Sequence, residues 1–275
     1  MSELATAQAP AEAPAPRRRP ARGAVPAVAW PVLGLALAVF AWWLAARLAG
    51  LPEVVLPPPQ SVLSAFLVLP AYLVEQTWVT ARLTLVGFAL AVVGGVFIGV
   101  AIAGSRWVER MVSPLLVAFN AVPKIALAPL LFVWLELGER PIIAMTFLIC
   151  FFPIVLSTAA GLLSTPADLV ELARSLDASR WQAFVKVRLP AALPQIFVGL
   201  KVAMPLAVIG AVVGEMQGGE MGLGTVIVQT SGQGDSATAF AAIVLLSLVS
   251  ILLYYALVGV ERLLLPWVRA TAAAR

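Results

Sequence analysis

The chain of 275 residues is 61% hydrophobic and 12% charged, with a mean hydropathy of +0.99, whereas a soluble domain is about half apolar and about a quarter charged. That excess excludes an ordinary soluble domain, because so much apolar surface must face lipid. The net charge of +4 arises from basic residues scattered between apolar runs, with no interleaved aromatic patch, so no nucleic-acid partner is expected. Histidine is absent and Cys150 is the sole cysteine, which removes the usual general base, any intrachain disulfide and any CxxC metal pair. No catalytic residue and no metal site is expected.

Residues 1–25 are rich in Ala and Pro and carry Arg17, Arg18, Arg19 and Arg22. Such a segment buries too little apolar surface to offset ordering entropy and is expected to be a disordered cytoplasmic tail, its arginines acting as an orientation signal. The apolar run that follows is too long for a signal-peptide core and is expected to span and remain. Within the membrane domain, residues 26–275, six segments reach the ~20 residues a crossing needs. They lie near 27–49, 80–103, 112–135, 141–163, 191–213 and 239–263.

With a cytoplasmic N-terminus, thirteen Lys and Arg residues fall on the inner side and only Arg47, Arg82 and Arg140 on the outer side. The positive-inside rule therefore places both termini in the cytoplasm. The expected class is an all-α polytopic membrane protein with six transmembrane helices.

The first outer loop opens with the proline-rich LPEVVLPPPQ, and residues 61–73 are expected to form a short interfacial helix. In the second span, Gly95 and Gly99 stand four apart and would let another helix approach closely. Pro114, Pro123 and Pro129 interrupt the third span, and each removes an N–H and crowds the preceding turn, so a kinked or broken helix is expected. Asn120 and Lys124 flank Pro123, and Lys201 lies deep in the fifth span with Met204 three residues on. These residues are candidates for a translocation pathway, since an intramembrane lysine without a nearby acid favours an anionic solute. The competing reading is that Lys124 snorkels or bonds carbonyls freed by the prolines, and that Lys201 pairs structurally. The glycine-rich segment 214–238 holds Glu215, Glu220, Gly222 and Gly224 and is expected to be an outer connector suited to docking an external protein.

Residues 165–189 hold seven of the 17 charged residues in the second half of the chain, its densest run of charge. Thr165, Pro166 and Asp168 read as a helix start, and Leu169, Leu172, Ala173 and Leu176 share one face. Ser179 with Gln182 reads as a capping box opening a second short helix. Two capped helices joined at Asp177 and Ala178 would form a knob in water.

The run ELARSLDASRWQAFVKVRLP, residues 171–190, resembles the EAA loop of permease subunits of ATP-binding-cassette importers. Glu171, Ala173, Leu189 and Pro190 match in register, while Leu172 and Val187 are mild substitutions. Asp177 stands where the motif has glycine, and Asp is among the few other residues that enter the left-handed region at modest cost. PKIALAPLLFVWLELGERPII, FFPIVLSTAAGL and VVGEMQGGEMGLGTVI are similar to the branch that imports nitrate, sulfonates and taurine, some members of which carry pyrimidine precursors of thiamine.

The resemblance implies the type I importer permease (MetI-like) fold, a bacterial inner-membrane location and a permease homodimer. It also implies two ATPase subunits and an extracytoplasmic solute-binding protein as partners, besides membrane lipid. Glu171, Ala173, Arg174, Asp177, Ala178, Trp181, Leu189 and Pro190 would then couple to the ATPases. No GxxxxGK[ST] loop occurs, so no cofactor is expected on this chain, and ATP and Mg would be held by the ATPase partner. A secondary transporter would need its own coupling-ion site. A membrane enzyme would need a nucleophile and base, or a metal set.

Overall fold

A computed structural model describes residues 29–48 and 50–267, and every regular element among them is helical. The expected tail, 1–25, lies outside these residues, as do Arg269 and Arg275. Helix α1 (Ala29–Leu48) buries none of its residues. After the proline-rich loop, α2 (Pro59–Val68) is short and stops at Leu69, φ −125° and ψ 47°. A residue before proline is pushed out of the helical region, and Pro70 then opens α3 (Pro70–Gly104). That 35-residue helix begins ten residues before the expected span.

Helix α4 (Arg106–Ala121) runs through Pro114. A single 3₁₀ turn (Lys124–Leu127) and α5 (Ala128–Leu135) follow, bent 80° from α4. Only Pro123 breaks the path. It holds Val122 extended, at φ −67° and ψ 128°, whereas Pro129 falls in the first turn of α5, where no intrahelical N–H is needed.

Then come α6 (Glu139–Leu163), α7 (Ala167–Ser175), α8 (Arg180–Ala183), a π-helical turn (Phe184–Arg188), α9 (Leu189–Gly218), α10 (Leu223–Gly232) and α11 (Ser236–Leu264). Five helical runs are long and apolar enough to cross a membrane, or six when the bent α4–α5 pair is one span.

Helices α3, α6 and α9 form the centre, and glycine is the reason they can. A Cβ on Gly95 of α3 would stand 2.8 Å from Ile154 of α6, and one on Gly210 of α9 would stand 2.7 Å from the Cα of Thr146. Backbones this close require residues without side chains, and in lipid dispersion contact of this kind drives helix association. Phe88, Cys150, Ile154, Phe197, Leu200 and Met204 pack in the main buried cluster. A second cluster joins Val62 and Ala65 of α2 to Leu223 and Val226 of α10 and to Ala241 and Ala242 of α11.

Candidate functional site

The knob forms at residues 167–188, and its turn is built around Asp177. Helix α7 ends with two reverse hydrogen bonds, Ala178 N–H to Ala173 O (3.0 Å) and Asp177 N–H to Arg174 O (3.0 Å). This is the Schellman arrangement, which needs a left-handed residue between helix and exit. Asp177 supplies it with φ 53°, in the place where glycine has no Cβ penalty.

Replacing Asp177 by glycine is expected to raise stability by up to about 1 kcal/mol, and replacing it by valine to lower stability by about 1–2 kcal/mol. Thermal melting in detergent reads the difference. Equal melting of the two variants would mean the turn imposes no conformational demand.

The second helix is capped as expected. The backbone N–H of Gln182 donates to Ser179 Oγ (3.2 Å), and the Ser179 N–H donates to Gln182 Oε1 (2.9 Å). The first cap differs. Pro166 takes the N-cap position of α7 without a side-chain bond, and the Thr165 hydroxyl donates back to Leu162 O at the end of α6.

Ala173 is buried, whereas Glu171, Arg174 and Asp177 are exposed. Leu172, Leu176 and Trp181 are also exposed, the last two at 74% and 72%. Trp181 stacks on Phe184 with centroids 5.9 Å apart. Leu169, Leu172, Leu176, Ala183 and Val187 line a groove between α7 and the second helical piece. Large apolar side chains held in the open by two capped helices have the character of an interface core.

From the knob the chain runs into the membrane without a break. In the π turn the Leu189 N–H donates to Phe184 O, five residues back. Pro190 has no N–H and crowds the carbonyl four residues before it, and the wider turn accommodates that ring. Arg180–Gly218 is thereby one helical path of 39 residues. Leu189 and Pro190 are half-buried at the junction.

The candidate pathway residues do not form one lining. Asn120 and Pro123 are exposed at the α4–α5 break. Lys124 Nζ donates to Asn120 O (3.2 Å) and Oδ1 (3.0 Å) and lies 4.9 Å from the Phe152 ring centre. Lys124 thus ties down a carbonyl at the broken end of α4.

Lys201 was expected to lack an acid. Instead Nζ sits 2.9 Å from both carboxylate oxygens of Glu261 on α11, and the charge is neutralised. Met204 is buried in the central cluster.

The expected outer docking surface is also corrected. Glu215, Gly222 and Gly224 are buried, and only Glu220 of the four is exposed. The three buried residues hold the start of α10. The Gly222 N–H donates to Gln76 Oε1 (2.6 Å), Leu223 N–H to Thr80 Oγ1 (2.8 Å) and Gly224 N–H to Glu215 Oε2 (2.8 Å). The first N–H groups of a helix have no intrahelical acceptor, and here α3 and α9 provide side chains for three in succession. The carboxyl oxygen at this place also meets the positive end of the helix dipole. Gly222 has φ 111°, and a Cβ on Gly224 would lie 2.7 Å from Val212 O. The two glycines therefore let the turn close over Glu215. Gln76, Thr80 and Thr84, spaced four apart on an apolar helix and all buried, were the overlooked signal of a polar internal face.

The family model described as binding-protein-dependent transport system inner membrane component matches residues 91–269. The chain belongs to that family. This importer permease is 36% identical over 237 residues to a formylaminopyrimidine transport permease of Halalkalibacterium halodurans, covering 86% of this chain and 95% of the relative. It is 35% identical to a riboflavin transport permease of Chloroflexus aurantiacus, covering 86% of this chain and 91% of the relative. A taurine transport permease of Escherichia coli is 33% identical, with 85% and 87% covered.

Among solved structures, an inward-facing conformation of the MetNI methionine ABC transporter matches with a TM-score of 0.62 and 24% identity, covering 70% of this chain and 95% of that chain. It has the same fold. The permease is thus a multi-pass inner-membrane subunit of an ATP-binding-cassette importer.

Proposed function

We propose that this permease forms the pathway for a small solute handed over by an extracytoplasmic binding protein, and that ATPase subunits drive it through the knob of α7 and α8. The observation that carries the reading is the knob: exposed Leu172, Leu176 and Trp181 on two capped helices, continuous with a membrane-spanning helix. Glu171, Arg174 and Asp177 surround this apolar centre with charge, Ala178 closes its turn, and Ala173, Leu189 and Pro190 seat it on the span. The family supports an ATPase and a binding protein as partners; two ATPases holding ATP and Mg, and a second permease copy, complete the proposed assembly. Thirteen inner against three outer basic residues support cytoplasmic N- and C-termini. Of the four candidate docking residues, Glu220 is the exposed one and is proposed to meet the binding protein.

The first substrate reading is an anionic solute of the sulfonate, taurine or nitrate type, with Lys124 the remaining positive group beside the break. The Lys201–Glu261 pair favours a second reading, an uncharged or zwitterionic heterocycle such as a pyrimidine, because a neutralised Lys201 adds no potential for an anion. A ligand panel on the co-purified binding protein, read by thermal shift, separates the two. A shift with taurine, sulfonates or nitrate supports the first, and a shift with aminopyrimidines or flavins alone removes it. Uptake by the chain alone under an ion gradient, with no ATPase, would overturn the importer mechanism itself.

A further inference from the structure

Beside the knob, at the α3–α4 turn, lies a polar cavity that the transport mechanism does not use. It is about 840 Å³ and lies among the end of α3, the start of α4, the end of α6 and the π turn, within the ~300–1,000 Å³ that ligand sites occupy. Arg106, Arg110 and Arg188 line it together with Glu109, so three positive charges face one negative. None of the four makes an ion pair or side-chain hydrogen bond with another described residue. Ser105, the N-cap of α4, makes no side-chain cap. Ile102, Leu162 and Leu163 add apolar wall on the membrane side.

A separate observation fixes the depth. Trp107, between Arg106 and Arg110 in sequence, is 77% exposed. Trp107 stands in the first turn of α4, just past the end of the apolar 35-residue α3, and tryptophan at the end of a spanning segment is enriched at headgroup level, where a cavity floored by apolar side chains and rimmed by arginines meets phosphodiesters rather than water alone. Basic pockets between spans at this level take anionic headgroups.

We propose that this cavity binds the phosphate of an anionic phospholipid, with Arg106, Arg110 and Arg188 holding the headgroup and Trp107 resting against its glycerol region. The recognised group is a phosphate anion. The lipid is its source because the cavity is open at headgroup depth and carries apolar wall, which free phosphate does not require.

Native mass spectrometry of the full-length permease purified from membranes tests the assignment, after exchange with equal amounts of phosphatidylglycerol and phosphatidylcholine. The wild type is expected to retain phosphatidylglycerol preferentially, and R106Q/R110Q/R188Q to lose that preference, at about fivefold per arginine. Should the triple variant fail to insert, R110Q alone is read for its own roughly fivefold loss. R262Q, at an exposed arginine outside the cavity lining, is expected to keep the wild-type preference. Undiminished retention by the cavity variants would overturn the site, as would an equal loss in R262Q. Displacement of retained lipid by excess inorganic phosphate would assign the cavity to free phosphate and overturn the lipid reading.

Discussion

Charge reversal at Glu171 is expected to leave the protein inserted and folded while abolishing ATP hydrolysis stimulated by the binding protein. Glu171 is exposed on α7 and forms no ion pair among the described residues, and surface changes away from packing stay within about 0.5 kcal/mol. Thermal melting of E171K should therefore match the wild type. At an interface the same change brings like charges together or strands a charge without water, which costs several kcal/mol. One such increment of about 1.4 kcal/mol is already tenfold in coupling. The assay is ATPase activity of the reconstituted complex with and without liganded binding protein. E171Q, which loses the charge without reversing it, should fall between. Full stimulation in E171K would remove the α7 surface from the coupling contact.

Truncating Glu215 to alanine is expected to have the largest effect on stability. The side chain is 1% exposed and accepts the Gly224 N–H. Its removal leaves a buried donor without a partner and a cavity under the start of α10, together on the order of 3–5 kcal/mol. E215Q keeps a carbonyl for the Gly224 N–H and should cost at most about 2 kcal/mol. Melting curves and protease sensitivity at residues 219–235 report both. If E215A melts with the wild type, Gln76 and Thr80 alone hold the helix start.

The spans, the capping box at Ser179, the close approach at Gly95 and the left-handed Asp177 were legible in the sequence because each is local: a run of apolar residues, a fixed spacing, or a conformational preference. What escaped notice depends on elements far apart in the chain. Lys201 meets Glu261 sixty residues later, and no pattern around either residue announces the other. The residues 214–224 read as an exposed connector because glycines and acids usually are one. Burial came from Gln76 and Thr80 on α3, which accept the N–H groups that a loop would otherwise offer to water. The three prolines of the third span looked equivalent, yet their positions relative to a helix start separate Pro129, which is tolerated, from Pro123, which breaks the path. The π turn was also not legible, since it answers to Pro190 only once the preceding helix is known to continue.

That turn sits within the 39 residues of Arg180–Gly218. At 1.5 Å per residue the path is about 58 Å long, nearly twice the ~30 Å of hydrocarbon it crosses. Under the proposed coupling it would act as a lever whose arms emerge on both sides. A tilt of about 10° about its midpoint carries each end about 5 Å, close to one helical pitch. The far arm ends beside Glu215 and the start of α10. A modest push on Trp181 at one face would thus arrive as a displacement at the opposite face, and the π turn, with Pro194 and Pro205 inside α9, is where the lever can yield instead of moving.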